Sequence, residues 1–285
     1  MLERILVPLD GSEVAAASLG FAKLIPSQYI RLLRVVQPDD LSTGDLEDRM
    51  AEARASLESA AKELRRHGRS VEIAIEMEDP ASEILDAAVD ANLIVMTTRG
   101  GGATSRAVFG SVADRVAHHS PVPVLLLRGD NRPTTEPLVA RIVVPLDGSE
   151  LSEAALRPAI DLSCDLGVPL HLVRVVESDP VRETVLGGPL VASATARATE
   201  RAIADAERYL DSRAQIARDR NCVAVTEARA GYPVTELIAT LKPGDVVVMS
   251  SHGRGGIGRW LLGSVADRLV REAPAPVLLV PRRGR

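Results

Sequence analysis

The stretch ILVPLDGSE at residues 5–13 returns almost unchanged as IVVPLDGSE at residues 142–150. A second stretch, GSVADRVAHHSPVPVLLLR at 110–128, returns as GSVADRLVREAPAPVLLVP at 263–281. The first pair is offset by 137 residues and the second by 153, so the second copy carries 16 more residues between its two ends. Self-similarity of this length indicates one domain that is present twice.

The repeat sets the expected domain boundaries. We predict a first domain at 1–128, a linker at 129–139 and a second domain at 140–285, because the linker sequence is polar and contains proline. The extra residues of the second copy are expected in ESDPVRETVLGGPLVAS at 177–193, where the glycine and proline content is typical of a loop.

Within each copy, short β-branched runs alternate with helical patterns. In the first copy the strands are expected near 3–8, 29–36, 70–76, 92–97 and 123–128, and the helices near 13–25, 44–66, 81–90 and 111–119. The second copy repeats this order from about Arg141. The alternation is typical of βαβ units on a buried parallel sheet. The predicted fold is α/β, with two tandem doubly wound domains, each a five-stranded parallel sheet flanked by four helices.

Composition narrows the function classes. The 285 residues are 46% hydrophobic, which suits packed globular domains, whereas the net charge of −5 and 2% aromatic content argue against a nucleic-acid partner. The chain opens MLERILVPLD, without a signal-peptide pattern, and no apolar run approaches the roughly 20 residues of a membrane span. We expect a cytoplasmic protein with no membrane partner.

The two cysteines, Cys164 and Cys222, form no Cys-x-x-Cys motif and lie in separate predicted elements. The spacing indicates neither a disulfide framework nor a thiolate metal site. Both are expected to be small core residues in a reducing compartment.

Glycines follow the fourth predicted strand of each copy and return where the next helix begins. The first copy has glycines at 100–102 and then Gly110 and Ser111, and the second has four glycines within 253–258 and then Gly263 and Ser264. Glycine has no Cβ, so its backbone N–H can approach a phosphate closely, and a nearby helix N-terminus favours the negative charge. The Ser-x-x-Asp spacings predict capping boxes at both helix starts. Alternatively, the glycines only permit tight turns, but the repetition favours a phosphate cradle.

Two other phosphate motifs do not account for these glycines. The chain contains no Gly-x4-Gly-Lys-Ser/Thr sequence, so a P-loop is absent. Gly253, Gly255 and Gly258 match the dinucleotide fingerprint as a string, but they follow a late strand and Ser105 stands where the first copy would need the third glycine. We interpret the match as chance.

Ligands of doubly wound sheets bind beyond the carboxyl ends of the strands, where the strand order reverses. If the first and fourth strands are neighbours, Asp10 faces the loop at 97–100 and Asp147 faces the loop at 250–253. Each aspartate also precedes Gly-Ser-Glu at a helix start, where it could act only as an N-cap.

These residues resemble the universal stress protein family, over nearly the whole chain and twice. ATP-binding members of that family carry glycine, two residues, glycine, nine residues, glycine and then serine or threonine. The corresponding residues here are Thr97, Gly100, Gly110 and Ser111 in the first copy and Ser250, Gly253, Gly263 and Ser264 in the second. Only the first glycine departs from the pattern. The resemblance implies two universal stress protein domains with an adenine nucleotide alpha hydrolase-like fold.

The resemblance also implies the ligand and its contacts. The ligand would be ATP, with AMP or ADP as alternatives, and Mg²⁺ could bind together with the phosphates. Asp10 and Asp147 would lie against the adenosine and the main chain of Val35 and Val175 would meet the adenine edge, while the glycine and serine positions would hold the phosphates. Gly231, in GYPV, matches the family's Gly-x-Pro turn near the ribose. The first copy has Glu78 there, which adds bulk and charge, so the second copy is the better expected site.

In the family the last strand pairs two domains, so the two copies are expected to form an intramolecular pseudo-dimer, and a homodimer is a further expectation. Three functions stay open: an ATP-binding stress or signalling module, a slow ATP-hydrolysing enzyme, and an interaction scaffold that binds no nucleotide. No lysine or histidine recurs in both glycine loops as a general base, which favours binding over catalysis.

Overall fold

The structure is a computed structural model that describes residues 3–37, 43–98, 109–128, 139–178, 188–251 and 262–281. The first half contains β1 (Arg4–Pro8), α1 (Glu13–Leu24), β2 (Tyr29–Val36), α2 (Thr43–Arg66), β3 (Ser70–Met77), α3 (Pro80–Ala87) with a 3-10 turn (Ala88–Asp90), β4 (Leu93–Thr97), α4 (Ser111–His119) and β5 (Val124–Leu127). The second half contains β6 (Arg141–Pro145), α5 (Glu150–Glu153), α6 (Leu156–Leu166), β7 (Leu170–Glu177), α7 (Gly188–Arg218), β8 (Ala224–Gly231), α8 (Pro233–Thr240), β9 (Asp245–Ser250), α9 (Ser264–Glu272) and β10 (Val277–Val280).

All of these strands lie in one sheet, in the order β3-β2-β1-β4-β5-β10-β9-β6-β7-β8. Within each half the strands run parallel, as predicted, and the first-half strand bounds agree with the expected ones to within one residue at each end. The two halves meet where β5 and β10 pair antiparallel, with Leu125 opposite Leu278. Because each of these strands covers the other's edge, the expected intramolecular pairing of the two copies is confirmed.

Helices cover both faces of the sheet, and the core on each face continues across the β5–β10 pair. On one face, α1, α2, α6 and α7 pack on a cluster that includes Ile5, Leu125, Ile142 and Leu278. On the other face, α3, α4, α8 and α9 pack on the alternate residues of the same strands. The strand residues are buried on both faces, which explains why the sequence shows continuous apolar runs and not alternation.

The first helix of the second copy is divided, a departure from the four unbroken helices that were expected. A turn at residues 154–155 separates α5 from α6, so the matching region of α1 becomes two segments. The additional residues of the second copy also do more than lengthen a loop, because α7 begins at Gly188 and includes the end of the predicted loop at 177–193. Residues 179–187 and most of the predicted linker lie outside the described residues.

Cys164 and Cys222 form a disulfide, which corrects the expectation of two separate core thiols. Their Cα atoms are 5.8 Å apart, a normal separation for a bridged pair. Cys164 lies in the last turn of α6, and the chain after α7 turns back through Asn221, at φ 60°, to bring Cys222 beside it. The pairing depends on how two helices pack on one face of the sheet, and 58 residues of sequence separate the two cysteines.

A buried ionic network lies at the amino edge of the second half. Arg141 donates from Nε and Nη2 to the Asp245 carboxylate at 2.7 and 2.9 Å, and its Nη1 lies 2.9 Å from Nδ1 of His171. Because arginine only donates, that nitrogen of His171 accepts, so the ring is neutral and donates from Nε2 to Glu227 at 3.0 Å. Burial, with a further contribution from Arg141, lowers the pKa of His171 below its usual range.

Candidate functional site

A cavity of about 1090 Å³ opens beyond the carboxyl ends of β1, β2 and β4, where the strand order of the first half reverses. Its wall includes five of the six residues predicted for the first copy, namely Asp10, Val35, Thr97, Gly110 and Ser111. The sixth, Gly100, lies outside the described residues. The expected adjacency of β1 and β4 is present, with Ile5 opposite Leu93. The topology therefore brings together residues that are up to a hundred positions apart in the chain.

Asp10 organises the turn between β1 and α1. Its Oδ1 accepts hydrogen bonds from the backbone N–H of Ser12 at 2.9 Å and from the Ser12 hydroxyl at 2.6 Å. Ser12 itself is the N-cap of α1, because its hydroxyl accepts from the backbone N–H of Ala15. Asp10 is therefore not the N-cap of α1 itself, but it supports the capping residue through these two hydrogen bonds. The carboxylate holds the turn rigid at the mouth of the cavity.

The second copy repeats this arrangement. Asp147 Oδ1 accepts from the backbone N–H and hydroxyl of Ser149 at 2.8 and 2.6 Å, and Ser149 caps α5. The other predicted residues of this copy occupy the corresponding ends of β7, β8 and β9 and the start of α9, namely Val175, Gly231, Ser250, Gly263 and Ser264. Gly253 lies outside the described residues.

Gly110 and Gly263 are the N-caps of α4 and α9, and neither helix start has a side-chain cap. The predicted capping boxes are wrong, because Ser111 and Ser264 are the first helical residues and neither serine is the N-cap. Each glycine N–H donates to the chain that leaves the preceding strand, from Gly110 to the Thr98 carbonyl at 2.8 Å and equivalently from Gly263. The N–H groups of the first turn of α4 therefore have no side-chain cap, at the wall of the cavity. A helix start of this kind suits an anionic group.

Among the described residues, three arginines line the cavity, and the sequence predicted none of them: Arg34, Arg49 and Arg271. Arg34 lies on β2, and its guanidinium packs directly over Gly11, which has a φ of 80°. A signal for Arg34 existed, because Arg174 stands at the same place before Val175 in the second copy. Together the three guanidinium groups place positive charge around a cavity whose acidic wall residues are Asp10, Glu52 and Asp114.

Arg174 is held differently from Arg34. Its guanidinium lies beside Gly148, and its central carbon is 4.8 Å from the ring centre of Tyr209 on α7. Tyr209 also donates its hydroxyl hydrogen to Glu153 at 2.9 Å. Stacking on Tyr209 of α7 therefore holds the arginine of the second copy, whereas the arginine of the first copy lies in a cavity wall.

The turn after the third strand differs between the copies as the sequence indicated. Gly231 has a φ of 146°, and Glu78 at the matching position has a φ of 105°, which a residue with a Cβ rarely adopts. The first copy thus keeps the backbone of the turn without the glycine that favours it, at a cost in strain. Within the described part of the chain, Pro80 and not Glu78 forms this side of the cavity, so the expected bulk of Glu78 is directed elsewhere.

Two further observations concern metals and membranes. Within the ranges that the structure describes, no group of three or more His, Cys, Asp or Glu side chains is arranged to hold a metal ion. In the same ranges, no helix combines the length and apolar character that crossing a bilayer requires.

Comparison with known proteins identifies relatives of both copies. The model of the universal stress protein family matches residues 1–128 and 139–281. A universal stress protein of Mycolicibacterium smegmatis is 29% identical over 303 residues, which cover 98% of this chain and 97% of that protein. A universal stress protein of Methanocaldococcus jannaschii is 31% identical over 149 residues, which cover 52% of this chain and 85% of that one. The crystal structure of a universal stress protein from Archaeoglobus fulgidus is similar over 98% of both chains, with a TM-score of 0.72 and 23% identity.

Proposed function

We propose a nucleotide-binding function, starting from the fact that this chain belongs to the universal stress protein family, with one domain of that family in each half. The proposed ligand is ATP, bound at the carboxyl ends of the strands in each copy. The proposed role is that of a cytoplasmic module in stress response or signalling whose state depends on the bound nucleotide.

The observation that carries the proposal is the cavity of the first half. Its volume of about 1090 Å³ lies slightly above the usual range of roughly 300 to 1,000 Å³ for small-molecule sites. Its wall combines the two kinds of surface that a nucleotide needs. The end of β2 at Val35 offers main-chain groups to the adenine, and the uncapped first turn of α4, which begins at Ser111, offers N–H groups to the phosphates.

Charge in the cavity supports a phosphorylated ligand. Arg34 and Arg49 line it from β2 and α2, so cationic donors share the cavity wall with the start of α4. Arginine pairs readily with phosphate oxygens because its guanidinium can donate two parallel hydrogen bonds. Mg²⁺ would be held mainly by phosphate oxygens, with the carboxylate of Asp10 as its protein partner, since magnesium prefers oxygen ligands from phosphates and one or two carboxylates.

The test is calorimetric titration of the full-length protein with ATP and Mg²⁺, after nucleotide extraction to show that the sites are empty. We expect saturable binding at two sites per chain. A thermal melt should rise as well, because a ligand at about 100 times its Kd adds roughly 2.7 kcal/mol to stability. No binding, together with no co-purified nucleotide, would remove the proposal and leave an interaction scaffold as the better interpretation.

Two variants assign the sites. Gly110 and Gly263 have φ values of −66° and −61° with extended ψ, a conformation that any residue adopts, so valine introduces no backbone strain. Gly110→Val should place a branched side chain against the phosphates of the first site alone, and Gly263→Val should do the same in the second. Each variant keeps the other site intact as an internal control. Two full-affinity sites in both folded variants would show that the glycines do not contact the ligand.

A further inference from the structure

The helix α9 belongs to the second half, yet its last turn reaches the cavity of the first half. Arg271 is part of the cavity wall that also contains Asp10 and Gly110. The contact follows from the antiparallel pairing of β5 and β10, which places helices of the two halves side by side. A second contact across the same boundary joins Arg128 Nη1 to the Ala273 carbonyl at 3.4 Å.

The Arg271 side chain is held in place before any ligand arrives. Its guanidinium carbon lies 5.2 Å from the ring centre of Phe109, a buried residue that immediately precedes Gly110. On its other side, Nε and Nη2 contact Oδ1 of Asp267, one turn earlier in α9, at 2.9 and 2.8 Å. Stacking and ion pairing together restrict the side chain, so little rotamer entropy is left to lose on binding.

These contacts leave donors of Arg271 unused. A guanidinium carries five N–H groups; that of Nε donates to Asp267, and Nη2 forms an ion pair with the same carboxylate oxygen. No residue in the described ranges accepts a hydrogen bond from Nη1 of Arg271. The group therefore combines a fixed position, a permanent positive charge and donors that no described residue uses, at the wall of a cavity that already contains a helix start.

We propose that Arg271 is a ligand-binding residue of the first-half site and pairs with a phosphate of the bound nucleotide, so that this site is complete only when the second half is in place. The inference rests on the proposed function and adds a residue from the other copy to it.

The inference also predicts that the two sites differ in their preference for polyphosphates. The residue of α4 at the position matching Arg271 is His118, whose Nδ1 already contacts the Asp114 carbonyl at 2.7 Å. Among the described residues, the first half places a histidine and not an arginine at the matching position, so the first site should prefer polyphosphates more strongly.

The experiment compares ATP binding to three full-length variants with binding to the parent protein. Arg271→Met keeps an apolar stem over Phe109 but removes the charge and the donors, and Arg271→Lys restores the charge and some donors without the planar guanidinium fork. Arg268→Met is the matched control, because Arg268 lies on the same helix, makes the same type of ion pair with Glu272 at 3.0 Å and is about half exposed. Circular dichroism melts establish that each variant is folded.

We expect Arg271→Met to weaken ATP at one of the two sites by about tenfold to a hundredfold, the usual effect of losing a hydrogen bond between charged groups. Arg271→Lys should recover part of the loss, and Arg268→Met should match the parent protein. In the Gly110→Val background, Arg271→Met should change nothing further, which assigns the loss to the first site. AMP should be affected less than ATP.

The outcomes separate the two proposals. If the parent protein binds no nucleotide, the proposed function fails and this inference fails with it. If the parent protein binds ATP at two sites while Arg271→Met binds as well as Arg268→Met does, the proposed function stands and the role of Arg271 is overturned. A loss at the site that Gly263→Val removes would also overturn it.

Discussion

Reducing the Cys164–Cys222 disulfide should lower the free energy of unfolding without unfolding the protein. The bond closes a loop across a sequence separation of 58 residues that includes β7 and α7. Loop-closure entropy for a loop of about this length corresponds to about 4 kcal/mol at 25 °C. The native state should survive the loss, because buried side chains such as Ile160 and Leu210 attach α6 and α7 to the same face of the sheet independently of the bond.

The assay is urea unfolding followed by circular dichroism, with and without a thiol reductant. For an m value of about 2 to 3 kcal/mol per M, a loss of 4 kcal/mol moves the midpoint down by roughly 1 to 2 M urea. Cys164→Ser should unfold at the midpoint of the reduced parent protein and should not respond to reductant. The variant is thus the control for any effect of reductant on the rest of the chain.

Two results would refute the reasoning. Two free thiols in the native, unreduced protein would show that the bond does not form. Identical midpoints with and without reductant, with thiol titration confirming complete reduction, would show that the loop is already restrained in the unfolded chain and that the entropy argument does not apply.

Three further predictions concern the ionic network and the turn after β1. Burial lowers the pKa of His171, so the unfolded chain takes up a proton near pH 6.5 and the folded protein does so only at lower pH. The free energy of unfolding should therefore fall as pH drops from about 6.5. His171→Gln should flatten that part of the curve of unfolding free energy against pH. Asp245→Ala should cost about 3 to 5 kcal/mol in urea unfolding, because it leaves the guanidinium of Arg141 without its buried carboxylate; a cost below 1 kcal/mol would contradict this account. Gly11→Ala should cost about 1 to 2 kcal/mol in a thermal melt and weaken ATP at the first site, because the left-handed backbone disfavours a Cβ and the added atom would overlap Nη1 of Arg34. Unchanged ATP affinity in Gly11→Ala would argue that Arg34 does not contact the ligand.

The repeated sequence was sufficient to predict most of the fold. Apolar runs predicted the first-half strands to within one residue at each end, their repetition predicted the same order in the second half, and the parallel arrangement followed from the helices between them. The expected strand order also predicted that Asp10, Thr97 and Gly110 lie close together, because the carboxyl ends of neighbouring parallel strands share an edge of the sheet. All three residues line one cavity. These inferences needed only local patterns and the rules for connecting strands.

The remaining features depend on contacts that no local pattern specifies. Whether Gly110 or Ser111 caps α4 is decided by which of two adjacent residues has extended dihedral angles, and the Ser-x-x-Asp string does not distinguish them. The disulfide depends on the packing of α6 against the end of α7. Arg271 enters the first cavity only because of the register in which β5 and β10 pair, with Leu126 opposite Val277.

The pairing of β5 with β10 on one chain also changes how the protein responds to dilution. Two separate chains would pair less as their concentration falls, whereas a tethered partner strand is present at an effective concentration that can be on the order of millimolar. The pair always consists of one copy of each half, so a substitution in one half is never duplicated in the other. Glu78, at the position of the first half that matches Gly231, is such a difference. A substitution can therefore change one half of the chain and leave the other half unchanged, which is not possible in an assembly of identical chains.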